Sequence, residues 1–343
     1  MAPIAVISDI SRRLHAMMEM NKRVVVTVCG LAWLPSRAPL VAQQQVVDTA
    51  FKATVAKPAY TARGPTVAID EAHSNFHTAA GQYKPFADLL TADGYRVIAS
   101  TRQFEPGTLA GVDVLVIANA RNLAALQAGD LTKPALTEHE CDVVRDWVRN
   151  GGSLLLIADH APFGYAAANL GERFGINMGK GWTFDRAIAG GITTQLDFSR
   201  ENGLLGDHVI LRGRGPGEEV KHVKTFTGQS LSVPAGATPL LTLSSTARDA
   251  ATPADLDAED AAVRSADSSA RGVHSRPATD RTQGVAMTFG RGKVVVLGEA
   301  GMFTAQVLRF ADGTERKFGM NVPGNDDRQF ALNVLHWLSG LLK

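Results

Sequence analysis

The stretch Gly151-Gly152-Ser153-Leu154-Leu155-Leu156-Ile157-Ala158-Asp159-His160 decides the reading of this chain. Its apolar run from Ser153 to Ala158 shows no polar alternation. As a strand it must therefore be covered on both faces, the condition of a parallel sheet flanked by helices. The two glycines ahead of it close a helix over Thr137 to Asn150, which Thr137 opens with Glu140 three residues later, a capping-box spacing. Upstream, Thr66 to Ile69 reads as a buried strand. Tyr83 to Asp93 reads as a helix with Pro85 in its first turn, Phe86, Leu89 and Leu90 on one face and Gly94 as its stop. Tyr95 to Ala99 and Val112 to Ala118 are the next strands. Strand, helix, strand in this order calls for parallel pairing through right-handed crossovers. The expected fold class is α/β, a doubly wound, mostly parallel sheet.

Downstream, Gly179 to Gly217 is glycine-rich, and Glu218 to Leu243 holds short strand-like pieces, including Thr238 to Leu243. Ala247 to Asp280 holds Ala, Asp, Ser and Arg with few large apolar side chains, so a flexible surface insertion is expected there. Gly284 to Phe289, the turn Gly290-Arg291-Gly292 and Lys293 to Leu297 form a hairpin near the sheet's edge. Phe330, Val334, Trp337, Leu338 and Leu341 recur at helical spacing, giving a final amphipathic helix over about Asp326 to Leu342. Residues 66–343 are read as one domain, 43–65 as a linker and 1–42 as an N-terminal extension.

That extension carries its own pattern. Met20-Asn21-Lys22-Arg23, an apolar run from Val24 to Leu34 and the small Ala42 ahead of Gln43 have the layout of a secretory signal peptide, with translation starting at Met20. A first buried strand and a lipoprotein signal around Cys29 are the alternatives. Export places the mature protein in the periplasm or outside the cell. The apolar run is too short to span a membrane, which takes about 20 residues. The chain has 343 residues, 35 Lys+Arg against 34 Asp+Glu and a formal net charge of +1, with no basic stripe for a nucleic acid. Its two cysteines, Cys29 and Cys141, are too few for a disulfide framework or a cysteine zinc site.

Three apolar strands end in polar clusters: Asp70-Glu71-Ala72-His73-Ser74-Asn75-Phe76-His77, Asp159-His160, and Glu299. In open α/β sheets the carboxyl ends of the strands border the ligand crevice, and an unpaired acid inside the core costs several kcal/mol. The three clusters are expected to converge there. His73, His77, Asp159 and His160 offer nitrogen and oxygen ligands in the number a zinc-like ion takes, zinc or manganese being the candidate metals, with Glu71 or Glu299 as general base on a bound water. Without metal, Glu71, His73, His160 and Glu299 supply acid/base pairs, a carboxylate tuning an imidazole. Asp70, Asn75, Phe163 and Gln306 are candidates for substrate contact. A structural alternative stands beside these: Asp159 as cap of a helix near Phe163, Asp70 as acceptor for loop amides, and Asn325 or Asp326 as cap of the last helix. No Gly-x-Ser-x-Gly elbow is present, which argues against Ser230 as a nucleophile, and Cys141 reads as a packing residue.

The segments Ile69-Asp70-Glu71-Ala72-His73, Asn75-Phe76-His77-Thr78, Ala158-Asp159-His160-x-Pro162-Phe163, Gly298-Glu299-Ala300-x-Met302-Phe303-x-Ala305-Gln306 and Asn325-Asp326-x-x-Gln329-Phe330-Ala331-Leu332-Asn333 resemble an uncharacterised bacterial family, often exported, with a class I glutamine-amidotransferase-like fold. The resemblance runs from about Val46 to the C-terminus and implies a flavodoxin-like three-layer sandwich without a settled reaction. The chain departs from true glutamine amidotransferases, because no cysteine occupies a strand–turn–helix elbow. Gly151 to His160 is also similar, more distantly, to trehalose-utilisation-type proteins, in which a strand after two glycines ends in His and a second His follows the first strand; His73 or His77 would be the second. That similarity implies sugar-like substrates, on which Phe76, Phe163, Tyr165 and Trp182 could stack. The reading is an exported hydrolase for a small polar substrate, sugar-derived or amide/ester, needing no nucleotide cofactor. The alternative is a non-catalytic ligand- or carbohydrate-binding module.

Overall fold

A computed structural model describes residues 44–187, 190–265 and 268–343. The expected signal peptide lies outside the described residues. The strands are β1 (Gln44–Val47), β2 (Thr66–Asp70), β3 (Arg96–Ser100), β4 (Val114–Ala118), β5 (Ser153–Ile157), β6 (Trp182–Arg186), β7 (Ile192–Thr193), β8 (Asp197–Ser199), β9 (His222–Lys224), β10 (Thr238–Thr242), β11 (Arg248–Ala250), β12 (Ser275–Pro277), β13 (Thr282–Phe289), β14 (Gly292–Leu297), β15 (Ala305–Arg309) and β16 (Glu315–Gly319). The longer helices are α1 (Lys84–Ala92), α2 (Glu138–Arg149), α3 (Phe163–Glu172), α4 (Pro253–Arg264) and α5 (Asp327–Leu338).

A seven-stranded sheet in the order β10-β13-β14-β5-β4-β2-β3 forms the centre. From β14 to β3 every neighbour pair is parallel, whereas β13 is antiparallel to both β14 and β10. The pairing follows from burial. Every residue of β2, β4 and β5 is buried, and successive side chains feed two separate cores. Val67, Ile69, Val116, Leu155 and Leu297 pack with Phe86 and Leu90 of α1 and Phe330 and Val334 of α5. Ala68, Leu115, Ile117, Leu156 and Val296 pack with Cys141 and Val144 of α2 and Ala167 and Leu170 of α3. The molecule is thus α/β with a mostly parallel central sheet, to which smaller antiparallel sheets are added: β1-β15-β16, β12-β11-β6-β7 and β8-β9.

Two expectations about organisation are corrected. The span 43–65, read as linker, contributes β1, whose Gln44–Val47 pairs antiparallel with Gln306–Arg309. The span 247–280, read as a flexible loop, carries β11, α4 and β12. Thr252 and Asp255 close a capping box on α4, and β11 bridges β6 and β12. Low apolar content misled here because a capped alanine-rich helix leaning on a sheet needs few large side chains. The expected caps also move. The helix at Phe163 starts from Pro162 with no side-chain cap, and α5 has none from Asp326, whose Oδ2 accepts the N–H groups of Lys221 and His222. Asn325 Nδ2 donates to Gly319 O and to Asp327 Oδ2.

Candidate active-site crevice

β14, β5, β4 and β2 are neighbours, so their carboxyl ends line one rim. Just beyond them stand Glu299, Asp159, Asn119 and the Asp70–His77 segment. Three expected clusters thus meet at one edge, joined by Asn119, which the sequence reading passed over. Asn119 Nδ2 donates to Asp159 Oδ2 at 2.7 Å, and Asp159 N–H donates back to Asn119 Oδ1 at 2.9 Å. The other carboxylate oxygen of Asp159 accepts the N–H of Ala300, the residue after Glu299. Asp159 is therefore a strut between strand ends rather than a helix cap.

Burial raises the Asp159 carboxyl to about 7 against the pull of the Asn119 and Ala300 donors. Burial, and then the charge of Asp159, lifts Glu299 well above its ordinary range, although Gly301 N–H and Met302 N–H donate to its two oxygens at 2.6 and 2.8 Å. Tyr83 donates its hydroxyl to Ala300 O and is held protonated by burial and by the same two acids. At neutral pH this edge therefore stores protons on carboxyl groups.

His160 is half-buried. Its Nδ1 lies 2.8 Å from Ala161 O, and a carbonyl can only accept, so Nδ1 carries the hydrogen and Nε2 keeps its lone pair. Burial lowers the imidazole's pKa despite that bond, so the ring is neutral at pH 7. Nε2 has no hydrogen-bond partner among the described residues. The ring stacks on Trp182 at 4.8 Å and 21°, and Phe163 lies 6.3 Å away with Phe76 beyond it.

Other expected site residues have different work. His73 Nδ1 bonds Asp70 Oδ2 at 2.9 Å and Nε2 bonds Glu140 Oε1 at 2.8 Å, all buried. Burial opposes its charge, but the two carboxylates outweigh that and raise its pKa. His73 thereby ties the β2 loop to α2. Its part in the expected metal and acid/base sets is corrected, because neither ring nitrogen is left for a ligand. Asp70 Oδ1 also accepts Ala72 N–H, as the structural alternative expected. Asn75 Oδ1 accepts His73 N–H, and Glu71 Oε1 accepts Ala79 N–H at 2.8 Å, so both brace the loop. His77 is buried against Tyr83 and pushed down to about 3 by burial and by Arg121, its Nδ1 without a partner. Among the described residues no three His, Cys, Asp or Glu side chains gather so as to hold a metal ion, and the set His73, His77, Asp159, His160 does not assemble. Gln306 is buried on β15 of the three-stranded sheet, its Oε1 unpartnered. Ser230 is locked between Asp249 and Arg281 at 2.6 Å each, a buried polar brace.

Backbone strain marks the same rim. The non-glycine residues with positive φ among those described are Ser74 (49°), Asn119 (48°) and Lys180 (66°). Ser74 O accepts the Arg121 guanidinium, Asn119 holds Asp159, and Lys180 N–H donates to Gln229 Oε1, whose amide donates to Ala158 O and Asp159 O. Such conformations persist where surrounding structure over-determines them, and they concentrate at functional sites.

No family model and no curated protein matches the chain. Among solved structures, the N-terminal domain of mmIFT52 superposes with a TM-score of 0.53 at 15% identity, over 80% of this chain and 97% of that one, a likeness of fold alone. A ThuA-like protein from Bacteroides uniformis gives a TM-score of 0.41 at 13% identity, over 82% of this chain and 94% of that one. A cytoplasmic protein from Salmonella typhimurium gives 0.41 at 12% identity, over 80% and 98%.

Proposed function

We propose that the rim is the active site of an exported hydrolase acting on a small polar substrate, sugar-derived or amide/ester, in which Asp159 and His160 move the protons. We propose with it an amidotransferase-like, flavodoxin-like sandwich as the architecture. The observation that carries the proposal is that two consecutive residues at the carboxyl end of β5 have complementary protonation. His160 offers a neutral Nε2 lone pair, and Asp159 beside it holds a proton up to about pH 7. In the proposed step His160 Nε2 takes a proton from an attacking water, whose oxygen bonds the substrate's electrophilic carbon. Asp159 gives its proton to the departing oxygen or nitrogen, and proton exchange through solvent resets the pair. Trp182, stacked on His160, and Phe76 offer apolar faces for a sugar-like ring. Asn119 and Ala300 fix the acid, and His73 with Asp70 and Glu140 holds the loop that carries Phe76.

The test is hydrolysis of chromogenic esters, anilides and glycosides by His160→Ala and Asp159→Asn. Each should lower kcat/KM by at least about a hundredfold, the scale of one acid or base. Hydrolysis unchanged in both variants would sink the proposal. The second reading, a binding module, draws on the complete use of Glu299 and His73 in framework hydrogen bonds. It wins if the wild type hydrolyses none of these probes but binds a sugar that Trp182→Ala releases.

A further inference from the structure

A second concavity lies outside the crevice, where the three-stranded sheet meets β9. It is a cavity of about 350 Å³, at the small end of the roughly 300–1,000 Å³ of ligand clefts. Phe226 and Phe318 form one wall, stacked on each other at 4.5 Å and 22°, and Met302 lies beside them. Lys224, Arg316 and Lys317 bring positive charge to the lining. Lys224 is 3.6 Å from Asp197 and Lys317 is 3.1 Å from Asp48, so both are partly neutralised. Arg316 is exposed and makes no ion pair among the described residues. Among the described residues no acidic side chain lines the cavity, whereas the amides of Gln195 and Asn325 do.

Gly301 touches both the aromatic wall and Glu299. A Cβ on Gly301 would lie 2.5 Å from Glu299 Oε1 and 3.3 Å from both Phe226 and Phe318. Gly301 therefore packs between the aromatic wall and the Glu299 carboxyl, and a side chain there would press on Glu299 Oε1. None of Phe76, Asp159, His160 and Trp182 lines the cavity.

We propose that this cavity is a binding site for a small organic anion, an aromatic ring bearing a carboxylate or phosphate, with the ring against Phe226 and Phe318 and the anionic group at Arg316. The apolar wall removes the ring from water, and the guanidinium's fork matches a carboxylate or phosphate edge. The inference is independent of the catalytic reading.

Isothermal titration calorimetry of the full chain with phenyl phosphate, benzoate and inorganic phosphate tests it. Saturable binding of phenyl phosphate and benzoate is expected, with inorganic phosphate at least tenfold weaker. Arg316→Ala and Phe226→Ala should each weaken phenyl phosphate about tenfold, the scale of one charge-assisted contact, with circular dichroism unchanged. Asp159→Asn should bind as the wild type does. The proposal fails if neither aromatic anion binds, if Arg316→Ala leaves affinity unchanged, or if inorganic phosphate binds as tightly as phenyl phosphate.

Discussion

At Asp159, burial and hydrogen bonding pull in opposite directions, and burial wins. The folded carboxyl titrates at about 7 against an ordinary 3.8. A raised acid stabilises the fold fully below its unfolded value, and that contribution is lost as pH rises through the folded one. Unfolding free energy measured by urea titration should thus fall between pH 4 and 7 in the wild type more steeply than in Asp159→Asn. Equal slopes would show that the group titrates normally. At His73 the sign depends on two partners. Its raised pKa gives stability that is complete below 6.5 and fades above it, whereas Glu140, lowered because its hydrogen bonds with Thr137 and His73 outweigh burial, gives stability present above 4.5. His73→Ala leaves two buried carboxylates without their bridge and should cost about 3–5 kcal/mol. The loss should be greatest between pH 4.5 and 6.5; one that is flat from pH 5 to 9 would contradict the charged bridge.

At the scale of the element, α2 shows how a local signal acquires a distant role. Thr137 Oγ1 accepts Glu140 N–H, and Glu140 Oε2 accepts Thr137 N–H, the capping box legible in the sequence. Glu140 Oε1 meanwhile accepts Phe104 N–H and meets His73. Chain order conceals this second duty, because the partners lie 36 and 67 residues away. Thr137→Ala should lower the urea midpoint by the equivalent of about 1–2 kcal/mol without changing the slope, an N-cap loss at the upper end of its range. A change below a few tenths would mean that Glu140 holds its place unaided. The strands were legible for the opposite reason. Apolar runs such as Leu154–Ile157 and Val114–Ala118 encode burial on both faces directly, whereas α4 and β1, poor in large apolar residues, draw their order from neighbours.

At the scale of the molecule, the crevice exists because β14, some 140 residues after β5, inserts beside it and brings Glu299 and Ala300 against Asp159. Among the described residues no helix is long and apolar enough to cross a membrane. The sequence by itself determined the α/β class, the parallel strands and the placement of polar residues at their carboxyl ends, since each is a consequence of local burial and spacing. It could not determine which of those polar groups would remain available. Both ring nitrogens of His73 and both oxygens of Glu299 are consumed by framework hydrogen bonds, Glu71 gives one oxygen to Ala79, His160 keeps Nε2, and Asn119 becomes the link between strands. Only the tertiary structure decided that division, because a side chain's partners come from segments that chain order separates, and a buried polar atom binds whichever neighbour packing supplies.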